Sequence, residues 1–219
     1  MATPTPSQGL FAPLKSKSTT ISQVSSFLTS ALSFVQDEFE PQTLQWFSLH
    51  SPASSSSQAF WIFDTSASQE GVQAHLNGKA AEALIANKET LFDDIQIKQI
   101  NILASKVGLK TQDSGKVKKG LIVLFKAKDG KESELAEFLK GPAIPLIEAE
   151  EFTPIWYALN FGSSGAPKEF AIVDFFFDDE GRQSHLKGKV AEALIASAPE
   201  LLDGGLDITE VDILAVKVK

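Results

Sequence analysis

The chain has no cysteine among its 219 residues, and only one of its 20 basic residues is an arginine, Arg182. The absence of cysteine excludes disulfides, thiolate metal ligands and a thiol nucleophile. Acidic residues number 28, which gives a formal net charge of −8. Because a negative protein repels phosphate, we expect neither nucleic acid nor an anionic membrane as a partner.

Long apolar runs are also missing. The apolar run at residues 121–125 is far shorter than the roughly 20 apolar residues that span a bilayer. Residues 1–9 lack the apolar core of a signal peptide. The sequence therefore predicts a soluble, cytoplasmic protein with a short N-terminal arm at residues 1–8. With 43% hydrophobic residues, the rest has the composition of a globular fold.

The sequence contains an internal repeat. Residues 60–86 match residues 170–196 at 16 of 27 positions, with an offset of 110. Further matches extend the repeats to residues 9–107 and 120–219, joined by a polar linker at 108–119. A period this long corresponds to a whole small domain, so we predict two tandem domains.

Each repeat has the predicted element order β-α-β-β-α-β. Short apolar runs rich in β-branched and aromatic residues predict the strands, and apolar residues at three- and four-residue spacing predict the helices. The second helix should be interrupted near Gly78 and Gly188, and residues 51–57 and 162–167 should form the hairpin loops. This order is the split βαβ of a ferredoxin-like α+β fold.

The third strand of each repeat is predicted to be buried on both faces. Successive side chains of a strand point to opposite faces, yet all four residues at 60–63 are hydrophobic. One face packs on the helices, so the other face needs a cover. We predict that the two sheets pack face to face as an intramolecular dimeric α/β barrel, which is monomeric in solution.

Several segments resemble a known family. They are residues 40–46 (EPQTLQW), residues 60–65 (FWIFDT), and Glu70-x-x-x-x-His75-Leu76, with Glu180-x-x-x-x-His185-Leu186 in the second repeat. The chain resembles two tandem domains of the antibiotic-biosynthesis-monooxygenase family of dimeric α/β barrels. The resemblance implies one ligand pocket in each half, between the sheet and its helices.

The resemblance also implies a function. It suggests a monooxygenase that uses no cofactor and oxidises a phenol, anthrone or quinol-type small molecule with O₂. Such a reaction requires a dry apolar slot, a proton-transfer group and donors for the developing oxyanion. The family also includes members without known catalysis, so the alternative is a noncatalytic barrel that binds a small apolar ligand or has a stress or scaffold role.

His75 and His185 are the candidate proton carriers. An ordinary imidazole pKa near 6.5 suits proton transfer at neutral pH, whereas in a packing role the ring nitrogens would bond strand carbonyls. Asp64 and Asp174 end the third strands. They are predicted either to orient the histidines or to accept backbone N–H bonds in the turn that follows.

Aromatic side chains are the candidate substrate-binding residues. They are Trp46, Phe47, Phe60, Trp61, Trp156, Tyr157 and Phe170. Flat aromatic walls suit an aromatic ligand, although the same side chains also fill cores. The three histidines have no short ligand spacing, so no metal site is predicted. The acidic cluster of Glu148, Glu150 and Glu151 is predicted to face solvent.

Overall fold

The computed structural model of the chain describes residues 4–52, 58–162 and 167–219. The predicted hairpin loops at 51–57 and 162–167 therefore lie mostly outside the described residues. Contacts divide the chain into two compact units. Unit 1 comprises residues 1–99, 110–115 and 212–219, and unit 2 comprises residues 100–109 and 116–211.

The first repeat contains five strands and four helices. They are β1 (Gln8–Ser16), α1 (Ile21–Ser30), β2 (Thr43–His50), β3 (Phe60–Ser66), α2 (Gln69–Leu76), α3 (Lys79–Ala86), α4 (Lys88–Leu91), β4 (Phe92–Ile95) and β5 (Lys98–Val107). The predicted interruption of the second helix is confirmed, because α2 and α3 are separated at Gly78. The short strand β4 was not predicted.

The second repeat follows the same order. Its elements are β6 (Lys119–Lys126), α5 (Glu132–Lys140), α6 (Ala143–Glu148), β7 (Ile155–Phe161), β8 (Glu169–Phe176), α7 (Asp179–Leu186), α8 (Lys189–Leu201) and β9 (Asp207–Val218). The α+β class and the ferredoxin-like order of elements are therefore confirmed. The predicted linker contains a short 3-10 helix, Thr111–Lys116.

Each unit contains an antiparallel sheet that includes one strand from the other repeat. In unit 1, β3 lies between β1 and β2, and the other edge of β2 pairs with residues 212–218 of β9. In unit 2, β8 lies between β6 and β7, and β7 pairs with residues 100–107 of β5. Each repeat thus supplies its last strand to the unit that the other repeat mainly builds.

The core of each unit lies between the sheet and its helices. In unit 1 the strand residues of this core include Trp46, Phe60 and Ile62, which pack with Leu28 and Leu84 from the helices. The opposite face of the sheet is also buried, as predicted, and the rings of Phe47 and Phe63 lie 6.0 Å apart there. Each fully buried side chain of this size contributes roughly 1.5–3 kcal/mol to the free energy of unfolding.

Candidate functional site

His75 and His185 occupy the last turns of two short, capped helices. The hydroxyl of Ser68 accepts the Gly71 N–H at the start of α2, and the carboxylate of Asp178 accepts the Gly181 N–H at the start of α7. These caps satisfy N–H groups that have no partner within the helix. Both histidines are buried.

Each histidine lies between two buried carboxylates. In unit 2, His185 Nδ1 is 2.7 Å from Glu150 Oε2, and His185 Nε2 is 3.0 Å from Asp174 Oδ2. In unit 1, His75 Nδ1 bonds Glu40 Oε2, and His75 Nε2 is 3.4 Å from Asp64 Oδ2. We call each Glu–His–Asp set a clamp. The Nδ1 contacts are hydrogen bonds and the Nε2 contacts are ion pairs, so each ring lies in a site that favours the imidazolium.

The carboxylates keep the histidines charged. Burial alone would lower the pKa of His75, but Asp64 and Glu40 outweigh it and raise the pKa to about 8. Burial would also lower the pKa of His185, but Asp174 and Glu150 outweigh it and raise this pKa to about 10. Near neutral pH both clamps therefore hold a proton on each ring nitrogen.

The pKa values of the clamp aspartates are raised, which makes their carboxylates stronger bases. Burial raises the pKa of Asp64 to about 6, although His75 and the Leu10 N–H oppose the shift. Burial also raises the pKa of Asp174, against the opposing effect of His185. The Leu10 N–H donates to Asp64 Oδ1 at 3.2 Å, so Asp64 both contacts its histidine and accepts a backbone bond.

The glutamates of the clamps were missed by the sequence analysis. The prediction that Glu150 faces solvent is wrong, because its side chain is buried against His185, whereas Glu148 and Glu151 are exposed. Thr153 Oγ1 donates to Glu150 Oε2 at 2.9 Å, and Thr43 bonds Glu40 in the same way at 3.1 Å. The recurring Glu-x-x-Thr-x-x-Trp spacing is the signal that could have identified them.

Two glycines let the glutamates approach. A Cβ built on Gly78 would lie 2.3 Å from Glu40 Oε1, and one built on Gly188 would lie 2.2 Å from Glu150 Oε1. Real Cβ atoms do not approach oxygen so closely, so any other residue would displace the carboxylate. The helix interruption at these glycines therefore creates the space that the clamp needs.

A lysine from the exchanged strand holds the loop that carries each glutamate. In unit 1, Lys217 of β9 donates to the carbonyls of Val35 and Glu40 at 2.7 and 3.0 Å. In unit 2, Lys106 of β5 donates to the carbonyls of Ile147 and Glu150 at 2.9 and 2.6 Å. Strand exchange thus positions the glutamate of each clamp.

A partly open apolar cavity adjoins each clamp. The cavity of unit 1 measures about 30 Å³ and includes Trp46, Asp64 and His75 in its lining. The cavity of unit 2 measures about 90 Å³ and includes Trp156 and His185. The indole nitrogens of both tryptophans are buried and have no hydrogen-bond partner among the described residues. Each cavity therefore combines apolar walls with a charged histidine, and its lining includes a tryptophan whose buried N–H has no partner.

The predicted aromatic residues divide into two groups. Trp46 and Trp156 line the cavities. The other five are not among the lining residues of either cavity; they are Phe47, Phe60, Trp61, Tyr157 and Phe170. Phe60 and Phe170 share a core cluster with the tryptophan of their own unit. Phe47 and Tyr157 follow the tryptophans directly and so point to the opposite face of the sheet.

Unit 2 also contains a groove on the other side of Glu150's loop. It measures about 400 Å³ and includes Ala149, Glu150, Phe152 and Lys189 in its lining. The residue of the first repeat that corresponds to Ala149 is Phe39, whose ring lies 3.8 Å from the Lys79 ammonium. In unit 1 the phenylalanine side chain therefore stands at the position that the smaller Ala149 occupies in unit 2.

Comparison with known proteins identifies the fold. No protein-family profile and no curated protein matches the chain. A candidate monooxygenase from Fusobacterium nucleatum subsp. nucleatum matches with a TM-score of 0.80 and 14% identity, over 98% of this chain and 95% of that chain. An anthrone oxidase-like protein matches with a TM-score of 0.63 and 9% identity, over 97% and 93%.

A third solved structure connects the fold to the family that the sequence resembles. It is a ferredoxin-fold protein related to antibiotic biosynthesis monooxygenases from Listeria monocytogenes, with a TM-score of 0.52 and 8% identity over 95% of both chains. These similarities show that the chain shares the fold of monooxygenase-like proteins. Within the described ranges, no helix is long and apolar enough to span a membrane, and no group of three metal-binding side chains is arranged around an ion site.

Proposed function

We propose that the chain is a cofactor-independent monooxygenase that oxidises a phenol, anthrone or quinol-type aromatic molecule with O₂. The observation that supports it most is the apolar cavity of unit 2, which Trp156 and His185 help to line, with Asp174 Oδ2 3.0 Å from His185 Nε2 behind it. Solved structures with the same fold are named as a monooxygenase and an anthrone oxidase-like protein.

The clamp assigns the proton-transfer roles. In unit 2 the titratable group that lines the cavity is His185, so this ring exchanges the proton with the substrate, and Asp174 takes the ring's proton when the histidine acts as a base. The substrate anion then transfers an electron pair to O₂ and forms a carbon–oxygen bond. The imidazolium donates the proton that the resulting peroxide requires before water leaves. For an activated CH₂ group the balance is R₂CH₂ + O₂ → R₂C=O + H₂O.

The tryptophan supplies the oxyanion donor. A buried N–H that lacks a partner costs free energy, and a ligand oxygen in the cavity would satisfy it. The apolar walls exclude water from the anion. Under this proposal the ligand is a small aromatic molecule, and the protein acts in the cytoplasm as a single chain without nucleic acid or membrane partners.

Oxygen uptake tests this function. The parent protein should consume O₂ with at least one member of a panel of anthrones and hydroquinones. Asp174→Asn and His185→Gln should each lower turnover by about 100-fold or more, the range typical of proton-transfer groups. Glu192→Gln, on the exposed surface, is the matched control and should keep parental turnover. Folded Asp174→Asn and His185→Gln proteins with unchanged turnover would reject the roles assigned here.

A noncatalytic role in binding a small apolar ligand is the second candidate. It is favoured by the contact of both histidine nitrogens with carboxylates, because an imidazolium held between two buried carboxylates also serves to hold helix and sheet together. Binding of panel compounds without any oxygen uptake by the parent protein would support this role over catalysis.

A further inference from the structure

Both cavities are too small, as they stand, for a two-ring aromatic ligand. An apolar cavity of roughly 150 Å³ accommodates benzene. The cavities measure about 30 Å³ in unit 1 and about 90 Å³ in unit 2. A ligand of this class can therefore enter only where part of the wall moves outward, and the two cavities differ in how their walls are held.

In unit 1 the wall segment ahead of the last strand is fixed in the sheet. β4 pairs with β1, and Ile95 lies opposite Leu14. The Gln96 N–H donates to the Pro13 carbonyl at 3.1 Å, and the next residue, Ile97, lines the cavity. Outward movement of Ile97 would require this ladder to break.

In unit 2 the ladder is reduced to one bridge between Leu202 and Ala127 and to the Asp203 N–H bond to the Lys126 carbonyl at 2.8 Å, and two adjacent glycines follow. Gly204 and Gly205 correspond to Asp93 and Asp94 of β4, and residues 203–206 belong to no strand. Gly204 has a φ of +89°, and a Cβ built on either glycine would meet nothing within 4 Å. Because glycine reorients readily and nothing packs against this pair, the turn can act as a hinge for the residues that follow it.

The residues after the hinge form an apolar entrance. Leu206 and Ile208 line the cavity from one side, and Ile195 of α8 lines it from another. Ile208 and Ile195 are 46% and 58% exposed, so the cavity wall is continuous with the protein surface at these side chains. His185 is the one titratable residue among those that line this cavity, and two carboxylates neutralise it. The entrance therefore favours an uncharged ligand.

We propose that the aromatic ligand binds in unit 2 alone. It enters past Ile195, Leu206 and Ile208 when residues 204–206, which lie between the Leu202 bridge and the start of β9, move outward about Gly204 and Gly205. The ligand is an uncharged, planar molecule of about two fused rings that carries one oxygen to accept the Trp156 N–H. The class of ligand rests on the proposed function, whereas the location of the site rests on the difference between the two units.

Binding of 1-naphthol to matched cavity variants tests the location. Ala191 and Ala81 are equivalent positions that line the two cavities. Calorimetry should show one 1-naphthol bound per parent chain. Ala191→Phe fills the cavity of unit 2 and should weaken binding by about tenfold or more, whereas Ala81→Phe should change the affinity less than about twofold. Two bound molecules per chain, or an equal loss in Ala81→Phe, would overturn the proposal.

Substitutions at the entrance keep the test decisive if a cavity variant fails to fold. Ile208 and Ile97 are equivalent and both exposed, so a lysine at either position leaves the core intact. Ile208→Lys should weaken 1-naphthol binding, and Ile97→Lys should leave it unchanged. Weaker binding in Ile97→Lys with unchanged binding in Ile208→Lys would overturn the proposal. So would a parent protein that binds no 1-naphthol up to the solubility limit of the compound.

The hinge is tested by exchanging the segments. The double variant Gly204→Asp, Gly205→Asp introduces the residues of the first repeat and should slow association of 1-naphthol in stopped-flow fluorescence by about fivefold or more. Unchanged association would contradict the hinge. Because these experiments measure binding, a single site in unit 2 with no oxygen uptake would reject the proposed catalysis and leave this inference standing.

Discussion

Unit 1 and unit 2 share a clamp and the residues that support it, but they differ in the wall of the adjoining cavity. Both hold a histidine between a glutamate and an aspartate, and both use a lysine from the exchanged strand to fix the glutamate loop. Unit 1 has the smaller cavity, and the extra strand β4 fixes its wall. Unit 2 has the larger cavity and a glycine pair in place of that strand. The clamp is therefore the shared structural element, and access to the cavity is what distinguishes the units.

The largest expected effect comes from removing the clamp histidines. His185→Leu leaves Glu150 and Asp174 buried without a cation, and His75→Leu does the same to Glu40 and Asp64. Loss of one partner from a buried ion pair costs about 3–5 kcal/mol of unfolding free energy. We expect the greater loss for His185→Leu, because both distances there are 3.0 Å or shorter. Urea denaturation followed by circular dichroism measures it.

A double variant provides the control for this prediction. Removing Glu150 together with His185 leaves one buried carboxylate fewer, so Glu150→Leu, His185→Leu should recover part of the lost stability. A cost below about 1 kcal/mol for both single histidine variants would show that the clamps contribute little, against the range expected for buried pairs.

The lysines should give the next largest effect. Lys217 is buried and bonds two carbonyls and Asp37, whereas Lys106 is half-buried and bonds two carbonyls. Bonds from a charged donor contribute about 1.5–3 kcal/mol. Lys217→Met should therefore lower the unfolding free energy by about 2–3 kcal/mol, and Lys106→Met by less. Equal losses in urea denaturation would show that the exchanged strands hold the two loops alike.

The smallest expected difference between the units is in the slope of stability against pH, about 1.4 kcal/mol per pH unit. Both histidines have a raised pKa in the folded chain, so the native state binds more protons than the unfolded state and stability falls as pH rises. Above the unfolded pKa of about 6.5, each histidine contributes a slope of about −1.4 kcal/mol per pH unit until its folded pKa is reached. His75 reaches that point at about pH 8 and His185 at about pH 10.

The slope should therefore become about half as steep above pH 8, where only His185 still contributes. The pKa of Asp64, about 6, lies below this range. Urea denaturation at pH 6.5 to 9.5 measures the effect. His75→Leu should remove the change of slope, and a constant slope in the parent protein would contradict the difference between the two clamps.

The repeat and the hydrophobic periodicity were enough to predict the element order, because each repeat buries its own apolar stripes. The helix interruption at Gly78 and Gly188 was also visible in the sequence. Hydrophobic periodicity could not identify the glutamates of the clamps, because Glu150 stands between exposed residues; only the recurring Glu-x-x-Thr-x-x-Trp spacing marked them. Strand exchange leaves no signal in a single repeat, so the roles of Lys106 and Lys217 could not be predicted.

The three indole N–H signals of Trp46, Trp61 and Trp156 offer the most direct test of the central claim, that the open site lies in unit 2. They can be assigned in a nitrogen–proton NMR spectrum with tryptophan-to-phenylalanine variants and followed during a titration with 1-naphthol. The account predicts that the Trp156 signal moves as its N–H gains an acceptor, while the Trp46 signal stays in place. Movement of the Trp46 signal with a stationary Trp156 signal would contradict it.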